Sequence, residues 1–230
     1  MTCRSDSGIA APGRRHDRPL MRFDLSLYVI ADRAFGRDRP LEDVVAAAIR
    51  GGATIVQLRE KAWPAGRIVH MGRRLQEITR PAGVPLIIND RTDIALAIDA
   101  DGVHMGLDDL PVADARRMLG PDKIIGASAA SVADALTAEA GGADYVSVGS
   151  IFPTTSKPDA GQAVGAEALT QFKAALRIPI VAVGGITAAN AAEAIHAGAQ
   201  GVAVVSAVVG ADNVREAARR LAEVVRAARS

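Results

Sequence analysis

From Leu25 onward the chain alternates short apolar runs with longer stretches in which apolar residues recur every three or four positions. This is the pattern of buried strands alternating with amphipathic helices. The runs predict eight strands: Leu27 to Ala31, Thr54 to Leu58, Leu86 to Ile88, Gly102 to His104, Ile124 to Ala127, Asp144 to Val148, Ile180 to Val183 and Gly201 to Val204. They are apolar throughout rather than alternating, as strands covered on both faces should be. Between them, Leu41, Val44, Val45, Ala48 and Ile49 share one helical face, and Val214, Ala218, Leu221 and Val225 share another. Glycines stand where such helices want left-handed caps, at Gly51–Gly52, Gly83, Gly120, Gly141–Gly142 and Gly198. A phrase repeats before strands, as Gly-Gly-Ala53, Gly-Gly-Ala143 and Ala-Gly-Ala199, so one helix-to-strand turn is reused. Eight such units closing on themselves predict a single α/β domain over residues 23–230, a (β/α)8 TIM barrel whose site lies at the C-terminal ends of the strands.

The polar residues just past the predicted strands therefore matter most. They are Gln57, Arg59 and Lys61 after the second strand, Asn89 and Asp90 after the third, Asp109 after the fourth and Ser128 after the fifth. Thr154, Thr155, Ser156 and Lys157 follow the sixth, Gly184–Gly185 the seventh and Ser206 the eighth. The segment from Gly149 to Gly165 is longer than the roughly 12–15 residues beyond which a loop in a compact domain is usually functional. Two carboxylates, three cations and several hydroxyls suggest a phosphorylated substrate held with a hard cation. Mg²⁺ commonly takes one or two carboxylates plus phosphate oxygens, which suits Asp90 and Asp109. Arg59 offers a planar fork, and Lys61 and Lys157 act as point charges. Plainer readings stand beside these. Asp90 and Asp109 are also placed to cap helices beginning near Thr92 and Pro111, and Arg59 to Lys61 to form a solvated charge run. Gly184–Gly185 would also serve as a turn capped by Thr187. His104, in an apolar context, reads as a structural histidine, and Trp63 as a packing residue beside the mouth.

Composition narrows the partners. A net charge of +1 and an aromatic content of 3% offer neither the basic footprint nor the stacking platforms of nucleic-acid binding. The longest apolar run, Gly201 to Ala211, falls short of the roughly 18 residues of a membrane span, so no membrane partner is expected. Cys3 is the single cysteine, which excludes an intrachain disulfide and a cysteine metal cage and fits a reducing cytoplasm. Only Lys61, Lys123, Lys157 and Lys173 stand against 23 arginines, which singles out Lys157 in its polar loop. Residues 1–22, rich in Arg, Pro and Gly, lack an apolar core for a secretory signal. They read as a disordered extension with Met21 near the start of the folded chain. The sequence leaves the oligomeric state open, a homo-oligomer included.

These motifs, in this order between Leu27 and Val208, resemble the thiamine phosphate synthase family, also called thiamine-phosphate pyrophosphorylase. The matching stretches are Val56 to Lys61, Ile88 to Asp90, Asp101 to Gly106 with Asp109, Gly126 to Ser128, Val148 to Lys157, Val183 to Ile186 and Val205–Ser206. The resemblance implies a transferase that joins 4-amino-5-hydroxymethyl-2-methylpyrimidine diphosphate to hydroxyethylthiazole phosphate, giving thiamine phosphate and pyrophosphate. It implies that Gln57, Leu58, Arg59, Glu60, Lys61, Asn89, Ser128 and Lys157 bind the pyrimidine diphosphate. It assigns Asp90 and Asp109 to Mg²⁺, and Thr154, Thr155, Ser156, Gly185, Val205 and Ser206 to the thiazole phosphate. Arg59, Lys61, Lys157 and Ser128 are the catalytic set it implies. Two positions depart from the family pattern: its Gly-Gln-x-Asp reads Gly106-Leu-Asp-Asp109 here, and the last threonine of its Pro-Thr-x-Thr-Lys is Ser156.

Pyrophosphate leaving an electron-rich aminopyrimidine implies a carbocation-like transition state, for which charge stabilisation and alignment suffice. A related thiazole tautomerase would need a general base, and the position after Gly126-Ala-Ser128 that carries histidine in that branch reads Ala129–Ala130 here. A non-catalytic phosphate-binding regulator would not need to retain both carboxylates and all three cations. A Schiff-base aldolase through Lys157 would need a depressed lysine pKa, which a polar loop does not provide.

Overall fold

A computed structural model of the chain describes residues 23–154 and 162–230. The proposed extension, residues 1–22, lies outside them, as do Thr155, Ser156 and Lys157. Eight parallel strands close in sequence order, with β1 (Leu27–Asp32) pairing both β2 (Ile55–Arg59) and β8 (Gly201–Val204). Between these run β3 (Leu86–Asn89), β4 (Gly102–Met105), β5 (Ile124–Ala129), β6 (Tyr145–Val148) and β7 (Ile180–Val183). The helices are α1 (Leu41–Arg50), α2 (Ala65–Thr79), α3 (Thr92–Ala97), α4 (Val112–Leu119), α5 (Val132–Ala140), α6 (Ala168–Ala175), α7 (Ala191–His196), α8 (Ser206–Val209) and α9 (Val214–Arg229). The predicted (β/α)8 barrel is therefore the observed one.

Four strands run past their apolar stretch into polar residues. Asp32, Arg59, Asn89 and Ser128 all belong to the ladder. Apolarity reports burial on both faces, whereas a strand end at a polar mouth keeps its backbone pairing while its side chains turn hydrophilic. Several polar side chains of the site thus sit on rigid strand backbone rather than on loops.

Two buried layers hold the barrel. Outward-facing strand residues pack against the helices, as with Leu58 and Ile88 against Ile68 and Leu75. Helix faces meet them as their period predicts: Val214, Ala218, Leu221 and Val225 of α9 are buried, and Asn213 caps that helix by accepting from the Glu216 amide at 3.0 Å. Inside the barrel a second layer joins Leu25, Tyr28, Ile55, Ile87, Tyr145, Val181 and Ala203. Gly126 makes room for the largest of these, because a Cβ there would lie 2.0 Å from Cζ of Tyr145.

The repeated turn phrase has a definite job at the base. The residues after it, Thr54, Asp144 and Gln200, each clasp a residue at the start of the preceding strand (Leu27, Ile125 and Ile180), accepting its amide on the side chain and donating their own amide to its carbonyl. Asp101 does the same for Leu86, so β1, β3, β5 and β7 are all closed this way. Arg116 reinforces one clasp, reaching Asp144 at 2.6 Å and the carbonyls of Gly120, Lys123 and Gly142. Each clasp satisfies a strand-end amide that would otherwise be orphaned.

Candidate active site

Strand alternation decides which residues reach the mouth. Ile30 pairs with Gln57 and Asp32 with Arg59 on the inner face, so Leu58 between them points outward into the helix layer at 1% exposure. Its side chain packs under α2, where a Cβ on Gly72 would be 3.8 Å from its Cδ2, so only its backbone faces the mouth region. Of the three charges that follow, Arg59 and Glu60 are largely buried and Lys61 is exposed, and each has an ion-pair partner. Arg59 is ion-paired with Asp32, which also accepts the Ala34 amide at 2.9 Å. Glu60, only 9% exposed in its side chain, meets Arg33 at 3.4 Å and accepts the Ala62 amide. Lys61 reaches Oδ2 of Asp90 at 3.1 Å. Arg33 and Arg67 both lie over the Trp63 ring, at 5.5 and 3.9 Å, so Trp63 is a packing residue that also holds cations.

Asp90 and Asp109 come together across the mouth within hydrogen-bond reach of each other. Asp90 has a left-handed backbone, φ 62°, which Asp tolerates better than most residues, and its amide donates to the His104 carbonyl at 2.9 Å. Asp109 accepts the Gly106 amide on Oδ2 at 2.7 Å. Burial, and then the neighbouring Asp90, push the Asp109 carboxyl above its ordinary range, against the pull of Lys61. The capping readings fail, because the N-cap positions of α3 and α4 are Arg91 and Pro111 and neither helix has a side-chain cap there. Two carboxylates held this close are costly without a cation, and that supports a cation at this point. Among the described residues no group of three or more His, Cys, Asp or Glu assembles. The donor set fits a hard cation completed by phosphate oxygens rather than an all-protein cage.

Below the mouth lies a polar network that the sequence reading missed. Nε2 of Gln57 is 2.7 Å from Oη of Tyr28, which is 2.9 Å from Oη of Tyr145. Nδ1 of His104 is 3.0 Å from the Tyr145 hydroxyl, and its Nε2 is 3.1 Å from Oγ of Ser128 and 3.3 Å from Oγ of Ser147. His104 is therefore satisfied, but by hydroxyls and a stacked Tyr145 ring at 5.6 Å rather than in an apolar setting. Tyr28 and Tyr145 sit on apolar strands and read as plain core. The available signal was their period-two relation to Asp32 and Ser147 on the same inner face.

On the far side, the chain after β6 continues along β7: Ile151 donates to the Val183 carbonyl at 2.9 Å and Phe152 to that of Gly184 at 3.0 Å. Gly184 and Gly185 have φ of 91° and 65°. A Cβ on Gly185 would fall 2.5 Å from the Pro153 carbonyl oxygen, and one on Gly184 2.2 Å from Oγ of Ser150. Packing of the β6–α6 segment thus requires both glycines. Thr187 does not cap α7; Asn190 accepts its amide at 2.8 Å and donates to the Gly185 carbonyl at 3.0 Å, fixing the turn. Asn89 and Ser128 are half-buried at the mouth, as are Thr154, Gly185 and Val205, and Ser206 is exposed as the first residue of α8.

Comparison with known proteins agrees with this arrangement. A family model described as thiamine monophosphate synthase matches residues 27–208. A thiamine-phosphate synthase of Moorella thermoacetica is 54% identical over 203 residues, spanning 88% of this chain and 97% of the relative. One from Roseiflexus sp. is 52% identical over 202 residues, spanning 88% and 86%. Among solved structures, a thiamine phosphate pyrophosphorylase from Pyrococcus furiosus superposes with a TM-score of 0.82 at 42% identity, covering 90% of this chain and 98% of that one. With half its residues shared over nearly nine-tenths of its length, and on the same barrel, the chain belongs to the thiamine monophosphate synthase family of biosynthetic transferases.

Proposed function

We propose that this chain condenses 4-amino-5-hydroxymethyl-2-methylpyrimidine diphosphate with hydroxyethylthiazole phosphate, forming thiamine phosphate and releasing pyrophosphate. The observation that carries the reading is the Asp90–Asp109 pair with Lys61 against Asp90 and Arg59 fixed nearby by Asp32. It is a compact set of charges suited to a diphosphate and a hard cation, at the mouth of a barrel of the right family. The C–O bond between the pyrimidine methylene and the diphosphate breaks, its electron pair leaving with pyrophosphate. The thiazole nitrogen then forms the new C–N bond.

Arg59, Lys61 and Lys157 offset the charge that grows on the leaving group, and preorganised cations act most strongly where charge develops. Asn89, Ser128 and Gln57 orient the pyrimidine diphosphate. Thr154, Thr155, Ser156, Gly185, Val205 and Ser206 hold the thiazole phosphate in line for attack. Asp90 and Asp109 would hold Mg²⁺, which when bound supplies further charge neutralisation on the diphosphate oxygens. The substrates are small and phosphorylated, and among the described residues no helix is long and apolar enough to cross a membrane. Purified protein given both substrates and Mg²⁺ should form thiamine phosphate and pyrophosphate in equal amounts. Absence of both products, with the protein folded, would refute the assignment.

A further inference from the structure

Tyr28 and Tyr145 are almost wholly buried, at 1% and 0% exposure. Burial holds both phenols above their ordinary range, so each keeps its proton at neutral pH and has one O–H to donate. The Tyr28 oxygen meets two network partners, Nε2 of Gln57 at 2.7 Å and Oη of Tyr145 at 2.9 Å. Hydroxyl hydrogens rotate to suit their partners. With Gln57 donating its N–H, a second donation from Tyr145 would leave the Tyr28 proton facing the apolar layer of Leu25, Ile55, Ile87, Val181 and Ala203. That arrangement is expensive in a buried site. With Gln57 donating, the arrangement that leaves no phenol proton unpaired runs Gln57 to Tyr28, Tyr28 to Tyr145 rather than Tyr145 to Tyr28, and Tyr145 to Nδ1 of His104, 3.0 Å away.

We infer that this chain of hydrogen bonds fixes His104 as its Nε2–H tautomer, making Tyr145 a positioning residue for the mouth. The Nε2–H then donates to the hydroxyls of Ser128 and Ser147, at 3.1 and 3.3 Å. With its oxygen accepting from the ring, Ser128 turns its own proton away from His104 and toward the mouth. There it donates to an acceptor atom of the pyrimidine diphosphate, a step that rests on the function proposed above. The reverse polarity, with the Gln57 oxygen accepting, would place the proton on Nδ1 and leave Ser128 donating inward, so the tautomer decides which way the serine faces.

Long-range proton–nitrogen correlation on the ¹⁵N-histidine-labelled full-length protein tests this, with His104→Gln used to assign the signal. At neutral pH, Nε2 of His104 should read as a pyrrole-type, protonated nitrogen and Nδ1 as pyridine-type. Tyr145→Phe keeps the ring that fills the space over Gly126 and removes the donor, so the two nitrogens should move toward averaged shifts. A protonated Nδ1 in the wild type, alone or together with Nε2, overturns the inference, as does an unchanged spectrum in Tyr145→Phe. The tautomer is read without turnover, so failure of the transferase assignment would not be mistaken for failure here. With turnover, Tyr145→Phe and Ser128→Ala should each raise KM for the pyrimidine diphosphate by about tenfold and together by little more. Fully additive losses would overturn the link from Tyr145 to Ser128.

Discussion

Asp109→Asn should make the protein more stable and the enzyme worse, a combination that separates a site carboxylate from a structural one. Two unit charges about 4 Å apart at an effective dielectric near 20 repel by about 4 kcal/mol. Here the Lys61 ammonium, 3.1 Å from Asp90, and solvent at the half-buried mouth reduce what is recoverable to about 1 kcal/mol. The Asn carbonyl still accepts the Gly106 amide, so the turn that Asp109 makes at 2.7 Å survives. For a chain of this size 1 kcal/mol raises Tm by roughly 2–4 °C. Loss of one of two cation ligands should lower kcat/KM by about 10²-fold, roughly 2.7 kcal/mol of transition-state stabilisation, with partial recovery at high Mg²⁺. Thermal melts without metal and kinetics across a Mg²⁺ titration give both numbers. A variant that melts lower would refute the repulsion argument. One that keeps its rate within about threefold and its metal requirement unchanged would remove Asp109 from cation binding.

Asp32→Asn keeps an acceptor for the Ala34 amide but removes the charge that holds Arg59. Saturation kinetics should show kcat/KM lower by about tenfold with Tm changed by only a few degrees, and an unchanged rate would mean that Arg59 is positioned by something else. Asp144→Ala deletes the acceptor for the Ile125 amide and a partner of Arg116 and should cost about 2–3 kcal/mol in denaturant unfolding, with kcat/KM of the folded fraction unaltered. Thr79→Val should leave unfolding free energy the same or slightly higher, because its buried hydroxyl has no hydrogen-bond partner and the isostere removes only that group; a loss above about 1 kcal/mol would contradict this.

The barrel was legible because parallel strands buried on both faces read as apolar runs and their helices keep a clean period. The glycine signals also carried physics: Gly52, Gly83, Gly120, Gly142 and Gly198 do adopt positive φ, while Gly51 and Gly141 end their helices in right-handed conformation. The charged residues of the site were visible because they cluster just past apolar runs. Their partners were not. Asp32 lies 27 positions from Arg59, and Tyr28 lies 117 from Tyr145, and no local pattern joins positions that only barrel closure makes neighbours. The outward direction of the Leu58 side chain was hidden for the opposite reason. A contiguous motif hides the period of two that sends alternate side chains to opposite faces, so Gln57 and Arg59 go in and Leu58 goes out. Gly184 and Gly185 leave room for Ser150 and Pro153, a close approach between distant stretches of the chain that no local pattern announces.

The two ends of the barrel are built on different principles, and this follows from what each end must do. At the base the task is only to satisfy strand-end amides, the same geometric problem four times over, and Thr54, Asp101, Asp144 and Gln200 solve it with one two-way clasp. A device set by backbone geometry alone can repeat, which is why three of these clasps follow a recognisable phrase. At the mouth each strand end meets a different chemical group, and each uses a different device: an ion pair at Asp32, a left-handed turn at Asp90, a hydroxyl at Ser128, paired glycines after β7. The mouth keeps two adjacent carboxylates, one of which burial and its neighbour hold above its ordinary range. Strain of that kind persists where function requires it and the surrounding structure is strong enough to hold it. Substitutions at the base should therefore move stability with little effect on kcat/KM, and those at the mouth the reverse, which makes the pair Asp144→Ala and Asp109→Asn a direct measure of how separately this fold carries the two burdens.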